Sequence, residues 1–321
     1  MHSNRIQGLK ADLISVVMVT YRTGPVLLQA INAVLDQSVK AELILVNNGN
    51  PPGVVEMLTR ISDSDSRFKL ISGHGNIGFA AACNRGAEQA LGATLLFLNP
   101  DCLLEPDSLK DLKLEFAKLP DKSLLGSDIR NPDLSEQSGS RRRLLTPWLA
   151  LVEMLTLYRF AGRHPYFKRF KQHQDPLPST TVAVAAISGA FMAIRQEHYW
   201  SIAGMDEAYF FHVEDLDFCL RFHLAGGKIF FCPKLRTVHV KATSEVSWIF
   251  VEWYKARGLC HYFRKHFEDV YPVGFISLLV CGLFIRLFVK GLLQALMSSS
   301  SSLNRYGMLP NEQFPPLEAK Q

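Results

Sequence analysis

The sequence predicts an α/β fold with a mixed, mostly parallel sheet flanked by helices. Short apolar, β-branched segments alternate with helical segments through roughly the first third of the chain, which is the pattern of parallel strands joined by helical crossovers. Each apolar segment ends at a polar or glycine-rich break. With 321 residues, the chain is long enough to bury a large core.

The predicted elements of the first part follow from the spacing of apolar residues. Strands of a sheet that is buried on both faces are short, continuous apolar runs. Such runs lie at residues 13–19, 42–46, 68–72 and 94–98. Apolar residues recur at helical spacing between them, which predicts helices at 26–35, 54–61 and 79–91.

The second part of the chain predicts fewer, more irregular elements. A strand with a glycine break is expected over 182–195, and strands are expected over 227–233 and 237–239. Residues 248–266 form an amphipathic helical pattern. The tail from residue 304 is expected to be disordered because its composition is polar and rich in proline.

Polar side chains follow the predicted parallel strands at the points where the strands end. The breaks are Thr20-Tyr21, Asn47-Asn48, residues 75–78 and Asn99-Pro100-Asp101. Ligands of open α/β sheets bind at the carboxyl ends of the strands. These breaks therefore predict a nucleotide-binding rim.

Charge and cysteine content narrow the function classes. The net charge is +5, and residues 141–171 alone hold eight basic residues and one acid. A basic face of this kind suits an anionic surface, and no nucleic-acid motif accompanies it. The six cysteines lack C-x-x-C spacing, and the first twelve residues contain no apolar run. Free thiols and a cytosolic location are expected, without disulfides or zinc.

The segment 204–227 places five carboxylates among aromatic and aliphatic residues, at Asp206, Glu207, Glu214, Asp215 and Asp217. Acids are rarely buried unless they are paired or bind a metal. A desolvated carboxylate also has a raised pKa and can act as a general base near neutral pH. The segment therefore predicts an active site.

A second, isolated acid is predicted at the end of a strand. Residues 95–98 lead to Asn99-Pro100-Asp101, and Pro100 cannot extend the ladder. A hard divalent cation takes carboxylate oxygens and keeps positions open for phosphate. Asp101 is therefore a candidate metal ligand, and a solvated acid at a strand end is the alternative.

Four motifs in this order resemble those of a known family. They span residues 76–86, 98–101, 187–191 and 214–221. The chain resembles the inverting glycosyltransferases of family 2, and within them the bacterial rhamnosyltransferases of surface-polysaccharide and cell-wall assembly. The resemblance covers residues 14–266 and implies a GT-A-like nucleotide-sugar-binding sheet.

The resemblance implies roles for individual residues. Asp215 matches the catalytic base, with Glu214 supporting it. Asp101 and His239 match the site of Mg²⁺ or Mn²⁺ on the donor diphosphate. Donor contacts are expected from the strand-end residues and their neighbours, Thr20, Tyr21, Asn48, Gly78, Asn84 and Asn99.

The resemblance also implies the substrates and a division of the chain into functional parts. The expected donor is a nucleotide-diphospho-sugar, dTDP-L-rhamnose first, and the expected acceptor is a polyprenyl-diphosphate-linked saccharide. Residues 1–134 would bind the nucleotide sugar, and 135–266 would form the acceptor-side, catalytic half of the same domain. Residues 267–303 would form membrane-associating amphipathic helices, and 304–321 the tail.

Several alternatives stay open at the level of single residues. Glu214 could instead pair with Arg221, and His239 could be a core histidine. Asp217 and Arg221 are spaced as an i,i+4 ion pair and are expected to be structural, worth about 0.3–0.5 kcal/mol if exposed. Ser188-Gly189 could be only a bulge.

Departures from the family pattern leave room for other functions. The family usually has Asp at position 47 and often Gly and Asn at positions 82 and 83, where this chain has Asn47, Ala82 and Cys83. A non-catalytic scaffold in a polysaccharide assembly complex is therefore the alternative function. A nucleotidyltransferase would need a Gly-rich, basic loop, which residues 20–25 do not supply.

Residues 273–297 exceed the ~20 apolar residues that span a bilayer, but they contain Arg286 and Lys290. These two lie in an i+4 series of polar and small residues, which favours a helix in the membrane plane. A core helix is the alternative. Together with the basic segment 141–171, which also holds aromatic residues, this predicts a peripheral location at the cytoplasmic membrane face.

Overall fold

The computed structural model describes residues 8–160, 164–241 and 246–301, with side chains of the last helix described to residue 292. The tail predicted to be disordered, residues 304–321, lies outside these residues. One nine-stranded sheet crosses both predicted halves of the domain. A separate two-stranded sheet lies beside it.

The strands follow in chain order. They are β1 (Lys10–Thr20), β2 (Ala41–Asn47), β3 (Phe68–Ile71), β4 (Gly92–Leu98), β5 (Cys102–Leu104), β6 (Ser123–Arg130), β7 (Arg141–Arg142), β8 (Val182–Ala183), β9 (Ala186–Ile187), β10 (Phe191–Arg195) and β11 (Lys228–His239).

The helices alternate with the strands in the first half and cluster at the end of the chain. They are α1 (Val26–Leu35), α2 (Pro52–Ser64), α3 (Phe79–Glu88), α4 (Ser108–Phe116), α5 (Pro147–Met154), α6 (Gln196–Ser201), α7 (Glu214–Leu224), α8 (Trp248–Phe267) and α9 (Phe275–Ser301).

The sheet has the order β3-β2-β1-β4-β10-β6-β11-β5, with β8 paired to β11. Strands β3, β2, β1 and β4 are parallel, as are β6 and β11. Strand β10 runs antiparallel between β4 and β6, and β5 runs antiparallel to β11. The predicted mixed, mostly parallel sheet with flanking helices is confirmed.

The sheet is buried on both faces because its central strands are apolar throughout. In β1, Val17 and Val19 point into one core, and Val16 and Met18 point into the other. One core is covered by α3 and α7, and the other by α1 and α4. This alternation explains the continuous apolar runs.

The three strands predicted in the second half are divided differently in the structure. The expected strand 182–195 is three short strands, β8, β9 and β10. The expected pair 227–233 and 237–239 is the single strand β11, whose register against β6 shifts between Cys232 and Arg236. Pro233 lies within this shift, at a position where the missing N–H interrupts the ladder.

Helix α9 packs on the folded body through the buried side chains of Ile276, Leu279 and Val280, and it also contacts α5 and α8 through one small and one charged residue. Gly282 lies against Met154 of α5, and Lys290 reaches Glu252 of α8 at 3.5 Å. Its outward face carries Leu278, Ile285 and Phe288, each at least 63% exposed. The segment Phe275–Leu292 is long and apolar enough to cross a membrane, yet only 17% of it is buried. The helix is therefore not enclosed by the folded body, although one of its faces joins the core.

Candidate active site

The carboxyl ends of β1 and β2 are joined by asparagine side chains. The Thr20 carbonyl accepts hydrogen bonds from the Asn48 N–H at 2.9 Å and from Asn50 Nδ2 at 3.0 Å. Thr20 is fully buried. The Tyr21 ring beside it is half-buried and lies against Gly49. Of these two predicted donor contacts, Tyr21 has the more accessible side chain.

Asn48 holds the loop before α3. Its Nδ2 donates to Asn76 Oδ1 at 2.9 Å and to the Gly78 carbonyl at 3.2 Å, and its Oδ1 accepts from the Ile77 N–H at 3.1 Å. The amide is therefore occupied within the protein. Asn48 shapes the rim, and its predicted contact with a donor stays a prediction.

Gly78 joins this loop to the acid-rich segment. It has a φ of +87°, and a Cβ at this position would lie 2.8 Å from the Phe210 carbonyl oxygen. The next residue, Phe79, donates its N–H to the same carbonyl at 2.7 Å. Only glycine fits here without displacing Phe210.

Asn84 is not brought to the rim. Its Oδ1 accepts from the Tyr199 hydroxyl and the Met205 N–H, while its Nδ2 donates to the Met205 carbonyl and to Glu207. All hydrogen-bonding positions of the amide are used in joining α3 to the turn before Asp206. These contacts are those of a structural link, and a donor contact stays a prediction.

Asn47 supports the same geometry that an aspartate would. Its Oδ1 accepts from the N–H groups of Gly49 and Asn50, at 3.3 and 2.9 Å, and closes the turn after β2. A carboxylate oxygen would accept the same two hydrogen bonds. The departure at position 47 therefore leaves this part of the rim intact.

Asp101 and His239 lie together as predicted. His239 Nε2 is 3.0 Å from Asp101 Oδ1, and both residues are buried. Pairing of β5 with β11 places His239 directly opposite Cys102, the residue after Asp101. Asn99 Nδ2 lies 3.4 Å from the same nitrogen.

The hydrogen bonds of Gln137 identify Nδ1 as the nitrogen of the His239 ring that donates to Gln137. Gln137 Nε2 donates to the His239 carbonyl and to Asn131 Oδ1, so Gln137 Oε1 faces His239 Nδ1 at 2.7 Å. Nδ1 is therefore the donor, and Nε2 faces Asp101. A nitrogen lone pair and a carboxylate oxygen 3.0 Å apart repel each other unless a proton or a cation lies with them.

This arrangement fits a divalent cation. Asp101, Cys102 and His239 offer three ligand atoms within 4.8 Å of one another. Burial raises the pKa of Cys102 well above its usual range, and its thiol donates to the Ala190 carbonyl. The carboxylate and the imidazole are therefore the ligands that suit Mg²⁺ or Mn²⁺.

The acid pair Glu214-Asp215 begins α7 after a strained turn. His212 and Val213 both have left-handed backbone angles, with φ of 65° and 75°. Gly258 of α8 packs against this turn, where a Cβ would come within 3.0 Å of the His212 carbonyl. A conformation that is costly for a β-branched residue is thus held by tertiary packing beside the acids.

Asp215 is held as a carboxylate by two donors. Arg142 Nη2 lies 2.7 Å from its Oδ2, and the Gly189 N–H donates to the same oxygen at 3.0 Å. Burial raises the pKa of Asp215, but the charge and hydrogen bond of Arg142 outweigh it and lower the pKa overall. Gly189 is therefore more than a bulge, since a Cβ there would lie 3.2 Å from the Asp215 side chain.

The pKa of Glu214 is shifted in the opposite direction to that of Asp215. Glu214 is buried, and among the described residues its Oε2 has no hydrogen-bond partner. Burial and the neighbouring charge of Asp215 raise its pKa. The alternative pairing with Arg221 is wrong, because Arg221 binds Asp217 instead.

Asp217 is a buried structural hub. It contacts Arg221 at 2.6 Å, Lys265 at 2.8 Å and His266 at 2.7 Å, and it accepts from the Tyr209 hydroxyl at 3.1 Å. Burial raises its pKa, but these partners, led by His266, lower it overall. The structural role predicted for Asp217 is confirmed. The prediction of an exposed pair with Arg221 alone was wrong, because Asp217 is buried and α8 supplies two further partners.

Arg142 and Gln137 are the site residues that sequence reasoning missed. Arg141 and Arg142 belong to the basic segment for which an exposed docking face was predicted, yet both are buried. Arg141 binds Glu136 at 2.8 Å. The two-stranded pairing of β7 with β9 carries these residues inward. Three consecutive arginines, Arg141 to Arg143, beside an apolar run were the available signal.

Comparisons with known proteins show the family of the chain. The family model Glycosyl transferase family 2 matches residues 15–201. The N-acetylglucosaminyl-diphospho-decaprenol L-rhamnosyltransferase of Mycobacterium tuberculosis is 27% identical over 248 residues, covering 73% of this chain and 78% of the relative. Rhamnosyltransferase WbbL of Escherichia coli is 21% identical over 226 residues, covering 61% and 82%.

Two solved structures share the fold. The mannosyltransferase PcManGT from Pyrobaculum calidifontis, in complex with GDP-Man and Mn²⁺, has a TM-score of 0.54 at 14% identity and covers 94% of this chain and 77% of its own. GalNAc-T7 with UDP, GalNAc and Mn²⁺ has a TM-score of 0.59 at 16% identity. That match covers 83% of this chain and about half, 49%, of GalNAc-T7. The chain belongs to glycosyltransferase family 2 and is a glycosyltransferase of GT-A-like fold.

Proposed function

We propose that this glycosyltransferase moves a sugar, with dTDP-L-rhamnose as the first candidate donor, onto a polyprenyl-diphosphate-linked saccharide with inversion at the anomeric carbon. The acceptor named for the mycobacterial relative and the rhamnosyl transfer named for both relatives support these substrates. Surface-polysaccharide or cell-wall assembly is the setting in which such an acceptor is used.

The observation that carries the proposal is the link between the two acidic sites. The Gly189 N–H binds Asp215, and the carbonyl of the next residue, Ala190, accepts from the Asn99 N–H at 3.0 Å. Adjacent Cα atoms are about 3.8 Å apart. Two consecutive residues, Gly189 and Ala190, therefore connect the Asp215 carboxylate to the strand end that carries Asn99 and leads to Asp101.

In this proposal Asp215 is the general base. Its carboxylate takes the proton of the acceptor hydroxyl while that oxygen attacks the anomeric carbon, and the bond to the donor diphosphate breaks with its electron pair. Arg142 and the Gly189 N–H orient the carboxylate. The raised pKa of Glu214 favours its neutral form, so no second negative charge competes for the same proton.

Asp101 and His239 would hold the metal ion, with Asn99 beside them. A bound Mg²⁺ or Mn²⁺ stabilises the charge that develops on the leaving diphosphate. The chain's own residues orient this pair: Gln137 fixes the His239 ring, and β5 pairing with β11 fixes the position of Asp101. The Mn²⁺ complexes of the two solved structures are in keeping with this assignment.

A panel of nucleotide sugars tests the donor assignment. With Mn²⁺ present, the true donor should raise the melting temperature of the purified protein most, because it binds only the folded state. A ligand at 100 times its Kd adds about 2.7 kcal/mol of stability. We expect dTDP-L-rhamnose to exceed UDP- and GDP-sugars. A larger rise in melting temperature with another nucleotide sugar would identify that sugar as the donor instead.

The outward face of α9 is proposed to bind the cytoplasmic face of the membrane. Leu278, Ile285 and Phe288 are exposed on it, and Trp253 of α8 is 46% exposed beside Phe284. Of the polar stripe predicted on one helix face, Gly282 and Lys290 meet the body of the protein, whereas Arg286 is exposed. The exposed apolar residues give the helix the outward face that lying in a membrane surface requires.

Co-sedimentation with anionic liposomes tests this location. The wild-type protein should sediment with the vesicles, and the double variant Ile285→Glu, Phe288→Glu should stay in the supernatant. Leu134→Glu is the control, because Leu134 is 65% exposed and lies far from α9 in sequence, in the turn after β6. Wild-type protein that ignores the vesicles would refute the location.

A further inference from the structure

Two basic side chains are paired on one face beside Asp215. Residues 141–143 run antiparallel to residues 170–172, with backbone hydrogen bonds of 2.9 and 3.2 Å on either side of the Arg142–Lys171 bridge. Residues directly opposite each other in such a pair point to the same face, with Cβ atoms about 4.5–5.5 Å apart. Arg142 and Lys171 therefore share a face.

This pairing is unfavourable in the protein alone, since like charges directly opposite each other destabilise a strand pair. Arg142 is compensated by Asp215. Lys171 has an accessible side chain and, among the described residues, no carboxylate within 4.0 Å; Glu153, the acid that influences it, lies farther away. Although the side chain reaches solvent, partial desolvation by the surrounding protein and then the charge of Lys255 lower the pKa of Lys171, and the more distant Glu153 offsets this only in part.

Arg142 also keeps a free donor. Its Nη2 binds Asp215 and the Ile187 carbonyl, but its buried Nε has no hydrogen-bond partner among the described residues. A buried N–H of a charged group without a partner is costly and usually marks a ligand or water position. The two residues together offer an anion several unused N–H donors.

We propose that Arg142 and Lys171 form a subsite for the diphosphate of the lipid-linked acceptor. The assignment rests on the proposed function. In a displacement with inversion, the base and the leaving diphosphate lie on opposite sides of the anomeric carbon. The pair adjoins Asp215, so it lies on the acceptor's side, whereas Asp101 and His239 serve the donor's diphosphate.

The subsite would couple acceptor binding to catalysis. A diphosphate oxygen that binds Arg142 competes with Asp215 for the guanidinium, because both are anions within reach of the same donors. As the acceptor arrives, Asp215 would lose part of its ion pair and become a stronger proton acceptor. Arg142 is in this sense a positioning residue and Lys171 a specificity residue.

The test compares two acceptors in Lys171→Ala. One carries the saccharide on a lipid diphosphate, and the other carries the same saccharide on a neutral alkyl chain. Loss of one charge-assisted hydrogen bond should raise the KM for the diphosphate acceptor by about tenfold to a hundredfold. The kcat/KM for the neutral acceptor and the KM for the donor should match wild type. Lys171→Arg should restore most of the loss, and Lys228→Ala, at an exposed lysine that begins β11, should change nothing.

Three results would overturn the subsite. An equal loss with the neutral acceptor would make Lys171 merely structural, and a raised donor KM would move the site to the donor's diphosphate. The third readout needs no transfer: in EDTA, inorganic pyrophosphate should raise the melting temperature of wild type but not of Lys171→Ala. Absence of that shift in wild type refutes the subsite, even if the donor or acceptor proposed above is itself replaced.

Discussion

Replacing Asp215 with asparagine should reduce sugar transfer by about 10²–10⁴-fold, the usual contribution of a positioned general base. The amide has the shape of the carboxylate and keeps an oxygen for the Gly189 N–H, but it cannot take the proton of the acceptor hydroxyl. Donor affinity should be unchanged, because the Asp101–His239 pair is untouched. Initial rates with saturating donor, and the melting-temperature shift caused by that donor, measure the two quantities.

A matched acid in the same segment provides the control. Asp206 binds Lys265 at 2.6 Å and caps the turn through the Ala208 N–H, away from Arg142. Asp206→Asn should therefore keep most of the transfer rate. If Asp215→Asn instead loses donor binding while its fold is intact by circular dichroism, Asp215 belongs to the nucleotide or metal site and the proposed base is wrong.

Replacing Asp101 with alanine should abolish the Mn²⁺-dependent part of donor binding and reduce transfer by at least about a hundredfold. Metal stabilisation of a leaving group is worth several kcal/mol, and the substitution leaves His239 as the single good ligand of the pair. The measurement is the donor-induced shift in melting temperature with Mn²⁺ and with EDTA. Wild type should show a difference between the two conditions, and the variant should show none.

Gln137→Ala should give a partial loss in the same experiment. Gln137 fixes the His239 ring without offering a ligand atom to the cluster, and loss of such a supporting contact usually costs about 10–100-fold in metal affinity. We expect a weakened but measurable Mn²⁺ dependence. Metal-dependent donor binding that survives Asp101→Ala at wild-type strength would exclude Asp101 as a ligand.

The parallel half of the fold could be predicted because its strands are continuous apolar runs. Strand β6 was not predicted because polar residues interrupt its apolar run. Ser123, Ser127 and Asp128 are fully or nearly fully buried in it, and Asp128 is paired with Arg130, so its hydropathy resembles that of a loop. A polar residue that is buried in a strand is invisible to a pattern that counts apolar positions.

The site was partly predictable because strand ends converge on one edge of a parallel sheet. Asp101 was proposed on this ground and from family resemblance, and Asp215 from the acid-rich segment 204–227 and the same resemblance; residues 189–190 contact both segments. The partner of Asp215 was not predictable in the same way. Arg142 lies in a short strand that only pairing with β9 defines, and a run of basic residues predicts an exposed face more readily than a buried ion pair.

Asparagines were the least predictable residues of the rim. Asn48 and Asn84 were both expected to contact the donor, yet their amides are filled by backbone and side-chain groups of neighbouring segments. An amide can serve a loop or a ligand with the same four hydrogen-bonding positions. Sequence alone does not distinguish the two uses, because the choice depends on which backbone groups the fold brings within reach.

The anomeric configuration of the product is the measurement that tests the central claim most directly. Transfer from dTDP-L-rhamnose, or from whichever donor the panel selects, to a lipid-diphosphate saccharide can be followed by NMR of the new glycosidic bond. A single displacement assisted by Asp215 predicts the configuration opposite to that of the donor. A product that retains the donor's configuration would require two displacements and would contradict the role of Asp215 as the base.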